Sequence, residues 1–266
     1  MADGARLQTS AVNRTLWGAR ARDWADVQEA TARPAYEAVL TRANVGPRTA
    51  CLDVGCGSGM AARLAADRGA KVCGVDAAEP LLAIARERTP QGDFRLDDLQ
   101  ALPFADGEFD LVTGFNAFQY AGDPVAALIE ARRVAKPGGV VAIVVWGEPA
   151  GMEMASVITA LGKLLQPPPP GSGGPFALSG ETALRGLAEA AGLKPETVFD
   201  ASEPIRYPDL ATALRGLNSS GVAARAIAAA GEDAVSQAHT DALAPFRGPD
   251  GGYVIGGTFR CLLARV

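Results

Sequence analysis

From residue 50 to residue 146 short apolar runs alternate with amphipathic stretches. Ala50–Val54, Lys71–Asp76, Phe94–Leu96, Phe109–Thr113 and Val140–Trp146 have the length and the Val, Ile, Leu and Phe content of strands. Between them Met60–Arg68, Pro80–Arg88 and Pro124–Val134 place apolar residues at helical spacing. Val140–Trp146 is apolar at nearly every position, which predicts a strand buried on both faces. Strand–helix alternation at this spacing predicts an α/β fold, a doubly wound, mostly parallel sheet with right-handed crossovers.

The flanking regions read differently. Residues 11–44 predict helices, with Pro34 starting the second, and residues 1–48 are expected to form an N-terminal helical lid on a domain spanning 49–266. After residue 147 a helix is expected over Glu153–Leu165, followed by Pro167–Pro170 and Gly171–Gly174, a stiff piece and then a pliant one. That predicts a loop over 165–178 that is mobile without ligand. Ser179 is placed to cap a helix running to Ala191, which Gly192 would end. Thr197–Tyr207 and Tyr253–Val266 predict an antiparallel edge pair, and the Ala-rich stretch between them, about 208–247, predicts a helical cap.

Composition narrows the function. The chain has 266 residues, a formal net charge of −5 and a pI near 5.1, with aromatics at 6%. An acidic chain with few aromatic side chains is a poor partner for nucleic acid. Four cysteines without a CxxC pair and a single histidine, His239, predict no metal site and a reducing compartment. The first residues lack an apolar signal core and no run of 18 apolar residues occurs, so a cytoplasmic protein without a membrane span is expected.

The chemistry is concentrated at Asp53-Val-Gly55-Cys-Gly57-Ser-Gly59, where three alternate glycines join a strand to a helix. Glycines there let backbone approach a ligand without an intervening Cβ. Asp76 ends the next strand 23 residues after Asp53, where an acid can take the paired hydroxyls of a ribose. Asp53 at the loop mouth and Asp97-Asp98 nearby would repel a pyrophosphate and favour a ligand bearing ammonium or sulfonium. The spacing is GxGxG rather than GxGxxG. Adenosine with a cationic tail fits better than NAD.

These residues resemble a family. Asp53–Gly59, Val75-Asp76, Asp98-Leu-Gln-Ala-Leu-Pro-Phe104, Phe109-Asp-Leu-Val112 and Arg133-Val-Ala-Lys-Pro-Gly-Gly139 are similar to class I S-adenosylmethionine-dependent methyltransferases, in order and spacing, over about residues 49–146. The likeness is to the small-molecule branch that includes ubiquinone/menaquinone-type enzymes. The resemblance implies a Rossmann-like fold with S-adenosyl-L-methionine as cofactor. It places Gly55, Gly57 and Gly59 along the methionine and ribose, with Asp53 ordering water or the amino group. It gives Asp76 the ribose hydroxyls, Ala77 the adenine face, Asp98 the adenine amino group with the Leu99 amide beside it, and Phe115 and Asn116 the methionine end. Asp97 competes with Asp98; Asp98 stands five residues before Pro103, as the family's acid does. Many relatives carry two histidines where this chain has Gln119-Tyr120, so those two residues are the candidates to orient an acceptor.

Methyl transfer is an in-line displacement, and alignment alone can be worth roughly 7–11 kcal/mol. The expected partner is a small, hydrophobic or aromatic acceptor, with O- or C-methylation undecided, and the chain a monomer or homodimer. Trp17 and Trp24 are candidates to close over the cofactor, and Phe118, Trp146, Phe176 and Phe246 to wall the acceptor pocket. His239 is the one side chain with an ordinary pKa near neutrality and a candidate general base. An NAD-type oxidoreductase and a non-catalytic cofactor-binding sensor or scaffold are the alternative readings.

Overall fold

The computed structural model describes residues 3–166 and 175–266, with side chains from Ala11 onward. Of the loop expected to be mobile, 165–178, residues 167–174 lie outside the described residues. The chain opens with α1 (Asp3–Gly18), a single turn α2 (Ala21–Asp23), a π-helical turn (Trp24–Gln28), a 3-10 turn (Glu29–Ala32) and α3 (Arg33–Arg42). Next come β1 (Ala50–Val54), α4 (Met60–Asp67), β2 (Lys71–Asp76), α5 (Glu79–Arg88), β3 (Asp93–Leu96), β4 (Phe109–Phe115), α6 (Pro124–Val134) and β5 (Ala135–Trp146). The remainder is α7 (Met154–Thr159), α8 (Glu181–Ala190), β6 (Lys194–Tyr207), the cap helices α9 (Leu210–Leu217), α10 (Gly221–Ala230) and α11 (Glu232–Leu243), and β7 (Tyr253–Arg265).

The seven strands lie in the order β3-β2-β1-β4-β5-β7-β6. β1 to β5 are parallel; β7 runs antiparallel between β5 and β6. Strand alternation splits the core between the two faces. Leu52, Val54, Val112 and Ile143 pack against α6 and α8, whereas Cys51, Leu111, Ala142 and Val144 pack against α3 and α4. The order reverses between β1 and β4, and ligands of open α/β sheets bind at the carboxyl ends of strands beside such a switch. Among the described residues, no helix is long and apolar enough to cross a membrane.

Pro137–Gly139 form a bulge within β5, which starts before its apolar run: Phe109 pairs with Ala135 but Leu111 pairs with Val140. Two local expectations need correction. Gly180, not Ser179, stands at the N-cap of α8. The Ser179 hydroxyl instead donates to the Trp146 carbonyl at 2.7 Å, tying the helix entry to the end of β5. Phe118 belongs to the core, fully buried, with its ring so close to β4 that a Cβ on Gly114 would stand 2.2 Å from it.

Candidate functional site

The glycine loop is built by positive φ and close approach. Gly55 (φ 69°), Gly57 (φ 55°) and Gly59 (φ 81°) all lie in the left-handed region. A Cβ on Gly55 would fall 2.5 Å from the Ala117 methyl and one on Gly59 2.7 Å from the Ala85 methyl, so loop, β4 exit and α5 interlock. At Gly57 the nearest groups are the Glu29 carboxylate at 3.4 Å and the Trp24 indole nitrogen at 3.6 Å. This position faces side chains of the N-terminal segment, not backbone.

Two carboxylates hold the loop from below. Asp76 accepts from the Gly57 N–H and the Ala78 N–H, each at 2.9 Å. Asp53 pairs in register with Thr113 across β1 and β4, and its carboxylate accepts from the Thr113 hydroxyl at 2.7 Å. Burial pushes the Asp53 carboxyl up to about 7, opposed by the Thr113 hydrogen bond and reinforced by the Glu29 and Asp76 charges. Burial likewise raises Asp76 against the stabilising backbone hydrogen bonds.

A third acid, Glu29, escaped the sequence reading. It is 3% exposed and sits above the loop. Its carboxylate accepts from the Ser58 hydroxyl at 2.6 Å, from the Met60 N–H at 3.4 Å and from the Arg88 guanidinium. Burial raises its pKa, with the Arg88 charge the main opposing influence. No spacing rule marks it: Glu29 lies in a helical stretch with other charges, and its guanidinium partner is 59 residues away. Tyr36 was missed for the same reason. It is buried, with its ring edge-on to Phe115 at 4.5 Å.

Trp24, Glu29, Tyr36, Asp53, Gly55, Gly57 and Phe115 line a cavity of about 40 Å³. Leu99 reaches the same loop, its side chain 4.0 Å from a Cβ on Gly55. Trp17 stands edge-on to Trp24 at 5.0 Å and to Tyr120 at 5.6 Å, and extends the aromatic surface toward α10, where a Cβ on Gly221 would meet its indole. Asn116, at φ 50°, accepts from the Gln119 amide at 3.1 Å, and the other end of that amide, Oε1, is buried with no hydrogen-bond partner among the described residues. Ala77 is buried at the end of β2. Asp98 accepts from the Gln100 N–H at 2.9 Å, as a loop-turn residue does, while Asp97 is exposed.

Other candidates are elsewhere. His239 is buried in the cap with its Nδ1 2.7 Å from the Asn218 side-chain Oδ1, and burial pushes its pKa down to about 4. Trp146 stacks on Phe259, and Phe176 and Phe246 pack in the apolar cluster around Met154 and Tyr253. All three are partly buried against this cluster. Cys56 is buried, and burial lifts its thiol well above the usual range, which removes it as a nucleophile.

The residues present fit the expected adenosyl cofactor in the charge of the cradle. Three acids surround the glycine-loop backbone, and Gln119 offers an acceptor without a partner among the described residues at the β4 exit. A family profile described as a methyltransferase domain matches residues 52–143. A malonyl-acyl-carrier-protein O-methyltransferase of Erwinia pyrifoliae is 30% identical over 189 residues, which cover 71% of this chain and 68% of that protein. An uncharacterized protein of Mycobacterium bovis is 35% identical over 141 residues, 52% of this chain and 51% of the relative. The YcgJ protein of Bacillus subtilis shares the fold, with a TM-score of 0.57 at 18% identity over 86% of this chain and 97% of that one. The chain spans about half the length of several curated relatives it matches.

Proposed function

Because the chain belongs to the class I S-adenosylmethionine-dependent methyltransferases, we propose that it transfers a methyl group to a small hydrophobic or aromatic acceptor, at oxygen or carbon. S-Adenosyl-L-methionine, the cofactor of that family, supplies a methyl group already activated by its sulfonium. The observation that carries the reading is the convergence of Asp53, Asp76 and Glu29 on one glycine loop beside the β1/β4 switch. Negative potential there favours a ligand with ammonium and sulfonium groups and opposes a dinucleotide pyrophosphate.

In this reading the Gly55, Gly57 and Gly59 backbone and Asp53 hold the amino-acid end. Asp76 takes the ribose hydroxyls, Ala77 packs on adenine, and Asp98 with the Leu99 amide recognises its amino group. Phe115 and Asn116 edge the methionine end, and residues 1–48 form the lid that brings Trp17 and Trp24 over it. Gln119 Oε1 and the Tyr120 hydroxyl orient the acceptor. Burial raises the Tyr120 pKa, so its hydroxyl stays protonated and can donate. His239, neutral and engaged by Asn218, is left to the cap. Holding the acceptor in line supplies most of the rate, and an acceptor that ionises easily needs no dedicated base.

Parallel calorimetric titrations with S-adenosylhomocysteine and NAD test the cofactor side. Binding of NAD without S-adenosylhomocysteine would overturn the assignment. A methyl-donor assay over phenols, quinols, keto acids and acyl carboxylates then tests the acceptor class. Cofactor binding with no turnover on any of them is the outcome a sensor or scaffold would give. The relative named as an O-methyltransferase supports oxygen as the first atom to examine.

A further inference from the structure

The cavity over the glycine loop, at about 40 Å³, holds water but not a nucleoside, since pockets for such ligands measure roughly 300–1,000 Å³. Its roof is the segment Ala21–Ala32, which carries Trp24 and Glu29 through a π turn and a 3-10 turn. Such departures from α-helix geometry often mark sites of movement. What fastens this roof to the loop is a buried polar clasp. Arg88, the last residue of α5, donates to the Glu29 carboxylate, to the Ser58 carbonyl at 2.9 Å, to the Ser58 hydroxyl at 3.2 Å and to the Ala25 carbonyl at 2.6 Å. Ser58 in turn donates to Glu29 at 2.6 Å. One guanidinium thereby joins roof, loop and α5.

The roof's other ionic ties differ in kind. Arg22 bridges Glu87 of α5 at 3.1 Å, and Arg215 of α9 bridges Asp23 at 2.5 Å and Asp26 at 2.9 Å, all with side chains between 31% and 60% exposed. Pairs of that kind contribute little and yield readily. The Glu29–Arg88 pair is screened from water on the glutamate side, so opening it leaves a desolvated carboxylate that must be rehydrated.

We propose that Glu29, Arg88 and Ser58 form a latch that positions Trp24 and Tyr36 over the glycine loop, and that its opening limits exchange of the adenosyl cofactor. The proposal rests on the cofactor reading above. In it Glu29 is a positioning residue: it acts through the roof it holds, not on the transferred methyl group. Ligand binding then follows a pre-existing opening, and the observed association rate levels off at the opening rate as ligand concentration rises.

Stopped-flow binding of S-adenosylhomocysteine to the full chain, followed by tryptophan fluorescence, tests this. The wild-type rate should reach a plateau. Glu29→Gln should raise that plateau about ten- to hundredfold, as expected for losing one hydrogen-bonded charge. Ser58→Ala, a milder change that also serves should Glu29→Gln fail to fold, should raise it about fivefold. Arg215→Ala loosens the same segment at an exposed pair and should leave the plateau within about twofold. Hydrogen exchange of the ligand-free chain over 21–32 should accelerate in the same order. A wild-type rate that rises linearly without a plateau overturns the latch. So does an unchanged plateau in Ser58→Ala and Glu29→Gln, or an equal rise in Arg215→Ala. Absence of any S-adenosylhomocysteine binding by the wild type overturns the cofactor reading and the latch together.

Discussion

Replacing Asp76 with alanine separates two duties that meet in one carboxylate. On the sequence alone Asp76 ends a strand and its loss should spare the fold. The structure adds that its two oxygens fasten the Gly57 and Ala78 N–H groups, each at 2.9 Å. A hydrogen bond to a charged group is worth about 1.5–3 kcal/mol, so the pair sets an upper bound of about 3–6 kcal/mol. Two effects reduce it. The side chain is partly accessible, so water can take up the freed N–H groups, and burial already penalises the charge. The net loss of stability should be about 1–3 kcal/mol, read by urea unfolding. Loss of the ribose contact should add a ten- to hundredfold weaker affinity for S-adenosylhomocysteine, about 1.5–3 kcal/mol by calorimetry. Asp76→Asn keeps one acceptor oxygen but presents an amide to the other N–H, and should fall between the two. Lower stability with unchanged affinity would confine Asp76 to loop support and refute its ribose role. No change in either would refute the whole account.

Other predictions concern charge and backbone. Asp53, pushed up to about 7 by burial, binds its proton more tightly folded than unfolded. Its contribution to stability should therefore decline as the pH rises from about 4 to 7, so the stability of wild type relative to Asp53→Asn should fall over that range in denaturation series. Affinity for the cationic cofactor should rise over the same range, as the carboxylate forms. Gly59→Ala should cost about 2–4 kcal/mol, combining positive φ with a Cβ 2.7 Å from Ala85. Gly57→Ala meets nothing closer than 3.4 Å and should cost only about 1–2 kcal/mol of stability while weakening cofactor binding. His239 is the sole histidine, so its imidazole resonances can be followed by NMR; with the pKa near 4 they should not shift between pH 5.5 and 8. The same lowered value means the His239 contribution, opposite in sign to that of Asp53, is lost as the pH falls through 6.5 toward 4.

Local rules carried far in this chain. Short apolar runs and helical spacing placed all seven strands and their order of appearance, because apolar runs and helix stripes are signals set over a few neighbouring residues. The Gly55–Gly59 loop was legible because positive φ is a backbone demand that only particular residues meet cheaply, and Asp76 followed from its distance to that loop. Asp123 before Pro124 caps α6 by the same local logic, accepting from Val125 and Ala126.

Non-local placement decided the rest. Nothing near Glu29 distinguishes it from a solvated helix glutamate; it becomes a buried anion because Arg88 and Ser58, distant in sequence, close around it. Phe118 reads as a pocket aromatic by position, yet the close approach of β4 at Gly114 draws it into the core. His239 reads as a base poised near neutrality, but cap packing removes its water and with it the charged form. Sequence patterns report what each residue can do with its neighbours a few places away. Burial, ion pairing and proton affinity are set by which distant groups share the same dielectric, and that is decided only when the chain closes on itself.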